Sequence, residues 1–106
     1  MKKYDEADSL VRSSDTNQVK SYFKAQMTIF KGIIEEKKYH DYKLAQHYYN
    51  VGAQDMTSFG EYGNEYIAYA YFGLSRIFGI NGDKENQKAY RKRAMKLSDL
   101  KKINFD

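Results

Sequence analysis

The chain has 106 residues, of which 42% are hydrophobic and 30% charged, with seven glycines and neither proline nor cysteine. That length supports one domain with a core of its own; the missing cysteines exclude disulfide and thiolate chemistry, and the shortage of turn formers argues against a β-rich fold and for an all-α one. A net charge of +4 is too mild to demand a nucleic-acid partner, no apolar run approaches the roughly 18 residues of a membrane span, and a start that turns acidic at Asp5 and Glu6 makes the cytoplasm the expected compartment.

An opening helix is predicted over about 4–12, with Ala7, Leu10 and Val11 on one face. Ser13 to Thr16 breaks it, and Asp15 followed by Gln18 has the spacing of a capping box. A second helix is predicted from about Thr16 to Lys38. Val19, Phe23, Met27, Phe30 and Ile34 recur at steps of four, four, three and four, which places them on one helical face. Tyr22, Ile29 and Ile33 broaden that stripe, while Lys20, Lys24, Lys31 and Glu35 fall outside it.

The third helix is expected to start after Asp41, a good N-cap, and to carry Ala45, Tyr49, Gly52 and Met56 on a shared face. Thr57 to Gly63 reads as a loop. The fourth helix, Asn64 to about Ile80, is apolar on nearly all sides, so it is expected in the middle of the fold. Gly82 is placed to end it in the left-handed conformation. Asp83 caps a fifth helix whose buried stripe would be Tyr90, Ala94 and Leu97, and Leu100, Ile103 and Phe105 trail behind it.

A motif returns along this order. Lys3-Tyr4-Asp5-Glu6-Ala7, Asp41-Tyr42-Lys43-Leu44-Ala45 and Gly82-Asp83-Lys84-Glu85 each head an amphipathic stretch, and the equivalent positions Ala7, Ala45 and Gln87 lie 38 and 42 residues apart. A period of this size marks stacked helix pairs. The expected organisation is a lone helix over 1–14, a first pair over 15–57, a second pair over 62–99 and a tail over 100–106. The lone helix, lacking a mate, would either pack on another subunit or belong to a longer array of which this chain is a piece.

From Tyr71 to Leu97 the chain resembles a tetratricopeptide repeat in the longer-helix variant of bacterial regulators. Tyr71, Leu74-Ser75, Phe78, Gly82-Asp83 and Ala94 fall in that family's packing positions, whereas Gln87 and Arg91 stand where a small residue and an aromatic are usual. Asp41-Tyr42, Ala45, Tyr48-Tyr49 and Gly52 are similar to the second helix of an earlier repeat. The resemblance implies a right-handed stack of antiparallel pairs, about five helices in all, and a non-catalytic module that binds a protein or peptide. It also implies a groove lined by the first helix of each pair, here Tyr69, Phe72 and Arg76. Arg76 would offer a fork of donors to a carboxylate, and alanine at Tyr69 or Arg76 is expected to leave the fold intact. The alternative is that the two rings pack in the core while Arg76 reaches to solvent.

Two rival functions are a peptide-sensing segment of a bacterial regulator and nucleic-acid contact through the fifth helix. The latter rests on Lys84, Lys88, Arg91, Lys92, Arg93 and Lys96, although no aromatics are interleaved there for base stacking. The same lysines and arginines suit the solvated outer face of a terminal helix. His40 and His47 lie about 10 Å apart along one helix, too far to share a metal, and Glu35-Glu36 reads as a solvated surface. No catalytic constellation, cofactor motif or metal set emerges.

Overall fold

The computed structural model describes residues 16–105, with side chains described for 19–98. The expected opening helix therefore lies outside the described residues. Those residues are helical throughout apart from short connections, with no strand among them. They form α1 (Thr16–Ile34), a π-helical turn (Glu35–Tyr39), α2 (Tyr42–Met56), a 3-10 segment (Thr57–Gly63), α3 (Asn64–Ile80) and α4 (Lys84–Phe105). The all-α fold class is thus what the chain adopts.

Each boundary has a local cause. His40 takes a left-handed conformation at φ 56°, which reverses the chain after the π turn, and Asp41 caps α2 by accepting the Leu44 amide at 3.1 Å. Gly82, at φ 81°, ends the α3 connection, and Asp83 accepts the Asn86 amide at 3.1 Å to open α4. The predicted loop at Thr57 to Gly63 is tighter than expected, a 3-10 segment kinked at Gly60. The last helix continues to Phe105, past the expected boundary at 99.

The core forms where α1, α2 and α3 meet, and its centre is Tyr49. The Tyr49 ring of α2 lies in a slot floored by Gly32 of α1 and Gly73 of α3, where an added Cβ would overlap ring atoms. Ile29, Met56, Leu74 and Ile77 surround it and are fully buried, each contributing about 1.5–3 kcal/mol by leaving water. The central position expected for the fourth helix is the one α3 occupies: Ile67, Ala70, Leu74 and Ile77 are all buried, and Tyr71 and Phe78 pack on Tyr90 of α4. Ala94 is fully buried and Leu97 packs against the core, the stripe expected of the last helix.

Two expectations fail along α1 and the π turn that follows it. The row Phe23, Met27, Phe30 and Ile34, read as the heart of its apolar face, is exposed at 48%, 55%, 36% and 47%. The buried face is instead Tyr22, Ala25, Ile29 and Gly32, continuing into Glu36. Small residues explain the choice, because α2 approaches closely enough that a Cβ on Gly52 would overlap Ile29, and the bulky row cannot enter so narrow a contact. Glu36 is the second correction. It does not lie on a solvated surface; it is 5% exposed and held by ionic and hydrogen-bonding partners.

Candidate functional site

Three hydrogen bonds join α1 and the π turn after it to α3 and the 3-10 segment before it, and they share one offset. Tyr22 donates to the Tyr62 carbonyl, the Gln26 amide to the Tyr66 hydroxyl, and Arg76 to Glu36, each across 40 residues. The two helices therefore run parallel in a fixed register. Their shared outward side joins the exposed row of α1 to Tyr66 and Tyr69 of α3. Phe30 meets Tyr66 edge-on with centroids 6.2 Å apart, and Tyr66 meets Tyr69 at 6.1 Å. The result is a continuous apolar and aromatic face, with Tyr69 itself exposed.

The residues expected to line a groove occupy this face unevenly. Tyr69 and Arg76 stand two turns apart on the outward side of α3, roughly 10 Å along its axis, and Phe72 is half-buried between them. Tyr69 donates its hydroxyl to Glu65 at 3.1 Å. Arg76 is already engaged: Nε donates to Glu36 Oε2 at 2.7 Å and Nη2 to Glu36 Oε1 at 2.9 Å. The same Oε1 accepts the Tyr49 hydroxyl at 2.7 Å. Two donors of the Arg76 fork thus face inward, and its role is first to neutralise a buried carboxylate.

The electrostatics follow from that geometry. Burial pushes the Glu36 carboxyl up, but the Arg76 fork and the Tyr49 hydroxyl outweigh it and hold the group below the ordinary value of 4.5. Burial, and then the bond to Glu36, push the Tyr49 hydroxyl well above its ordinary 10.0. Beside Arg76 lies an open recess of about 570 Å³, whose walls include Lys37, His40, Tyr42, Gly79, Ile80 and Gln87. Lys37, His40, Arg76 and Gln87 bring polar groups to it beside the apolar Ile80.

Phe23, Met27, Phe30 and Ile34 belong to this exposed face, not to the core where periodicity places them. The small residues Ala25 and Gly32 of the other row permit a close helix contact, and the approach of α2 at Gly52 shows that this row is the one buried.

Elsewhere, Lys84, Lys88, Arg91, Lys92, Arg93 and Lys96 are all exposed on α4, and the Arg93 guanidinium lies 5.1 Å over the Tyr90 ring. His40 serves the α1–α2 turn and contacts the Tyr42 hydroxyl at 3.4 Å through Nδ1, while His47 is exposed. Among the described residues, no three acidic or histidine side chains converge as a metal site. None of the described helices is long and apolar enough to cross a membrane. Compared with known proteins, the chain matches no family model, no curated protein and no solved structure.

Proposed function

We propose that the chain is a non-catalytic helical-repeat module that binds a peptide or protein segment, with its helix pairs stacked as in tetratricopeptide-like repeats. The observation that carries this reading is the exposed apolar row of α1 running beside Tyr69 of α3. Four large apolar side chains left in water along one helix form a patch of the kind that marks an interaction surface. The constant 40-residue offset from α1 and its π turn to α3 supports the repeat, since equivalent helices of successive units pack in parallel. Binding energy would come from covering these side chains, with the polar groups of the recess beside Arg76 fixing orientation.

Panning a displayed peptide library against the full chain tests this. Peptides should be enriched that lose binding to a Met27→Glu variant and keep it against Lys92→Glu. Failure to enrich any sequence, or enrichment indifferent to Met27→Glu, would remove the basis for the proposal.

A further inference from the structure

We infer that the outward row of α1 receives an acidic amphipathic helix from another protein, an inference that rests on the peptide-binding reading and specifies its ligand. Phe23, Met27, Phe30 and Ile34 follow one another at steps of four, three and four. That is the spacing of a two-heptad coiled-coil seam, with Phe23 and Phe30 at d positions and Met27 and Ile34 at a positions. Knobs so spaced interdigitate with the ridges of a second helix, whereas an extended strand has a period of two and matches them poorly. The seam is about 17 Å long, three turns of helix.

The edges of the seam select the partner. The e positions are Lys24 and Lys31, both exposed, and neither has an ionic partner among the described residues. Lys20, one heptad before Met27, is exposed at the head of the seam. The g positions are Gln26 and Ile33, which are engaged elsewhere: Gln26 donates to Tyr66 and Ile33 packs on the core. One edge is therefore open and positive, and the other is closed by α3.

A second copy of this chain fits badly. Antiparallel pairing would set Lys24 and Lys31 against the same lysines, and parallel pairing would set them against the covered Gln26 and Ile33. A helix with apolar knobs facing the seam and glutamates or aspartates along its edge complements both features.

The test uses two labelled synthetic helices of about three heptads with identical leucine seams, one edged with glutamate and one with lysine. Both are titrated with the full chain by fluorescence anisotropy. The glutamate-edged helix should bind about fivefold or more tightly than the lysine-edged one. Met27→Glu should weaken it at least about tenfold with unchanged circular dichroism, and Lys24→Glu with Lys31→Glu should reverse the preference. Equal affinity for both helices, or no reversal, overturns the inference. So does dimerisation of the chain that Met27→Glu abolishes, or a photo-cross-linker at Met27 that captures residues 1–15 of the same chain. Loss of binding in Lys88→Glu with Lys92→Glu, and not in Met27→Glu, also overturns it by moving the contact to α4. If the glutamate-edged helix fails while a peptide of other chemistry binds and is lost in Met27→Glu, this inference falls and the peptide-binding reading stands. If no peptide binds at all, both fall.

Discussion

Arg76 grips Glu36 side-on, at 2.7 and 2.9 Å, and in doing so ties α3 to the π turn that closes α1. The carboxylate is buried and the guanidinium is about half exposed, so removing the two partners should have unequal effects. Arg76→Ala strands a buried negative charge, and we expect a loss of about 1–3 kcal/mol, below the range for fully buried pairs because solvent reaches the arginine side. The double variant Arg76→Ala with Glu36→Gln should recover part of that loss. Urea denaturation of the single and double variants checks this. A single variant as stable as the parent would mean that the pair carries no structural weight, the outcome the repeat resemblance implies for Arg76→Ala.

The same cluster sets a pH window. A carboxyl held below its ordinary value binds fewer protons when folded than when unfolded, so its stabilisation is complete above about pH 4.5 and is lost as pH falls through the lowered value. A tyrosine raised above its ordinary value behaves oppositely: its contribution is complete below pH 10.0 and is lost as pH rises beyond it. Stability should therefore decline at both extremes, with Glu36→Gln flattening the acid limb and Tyr49→Phe the alkaline one. Unfolding free energies measured from about pH 3 to pH 11 check both limbs, and limbs unaltered by these variants would assign them to other groups.

The slot for Tyr49 predicts an overpacking effect. A methyl group on Gly73 would overlap the ring, which is held by its hydroxyl bond to Glu36 and by Gly32 on the opposite side. Gly73→Ala should destabilise by about 1–3 kcal/mol despite the better helix propensity of alanine. Tyr49→Phe in the same background should not restore stability, because the ring rather than the hydroxyl fills the space. Thermal melting of the two variants decides this, and a Gly73→Ala protein as stable as the parent would contradict the packing.

How far the fold could be read from residues alone is clearest by comparing helices. In α2 and α3 the apolar positions have one dominant direction or cover nearly every side, so periodicity placed Ala45, Tyr49, Met56 and Leu74 in the core correctly. Asp41, Gly82 and Asp83 act locally, through a cap or a left-handed turn, and local chemistry is legible. In α1 two apolar rows compete, and periodicity cannot rank them. What ranks them is the approach of α2 at Gly52, a tertiary fact. The burial of Glu36 is illegible for a similar reason: its partner is 40 residues away, and nothing beside it in the sequence announces a buried charge.

That inversion of faces yields a paired prediction. Ile29→Ala should cost about 2–5 kcal/mol, because Ile29 is fully buried. Met27→Glu, two residues earlier, should change stability by no more than about 0.5 kcal/mol while removing peptide binding. Chemical denaturation of both variants is the check. Comparable losses in the two would place both rows in the core and leave no exposed face to bind anything.

The methionines provide the most direct measurement. Met27 lies on the outward row of α1, Met95 on the exposed side of α4 and Met56 is fully buried in the core. With methyl-labelled methionine and a glutamate-edged helix, or any peptide enriched from the library, the Met27 resonance should shift or broaden while Met56 and Met95 stay in place. A titration in which Met95 moves and Met27 does not would contradict the binding face proposed for this protein.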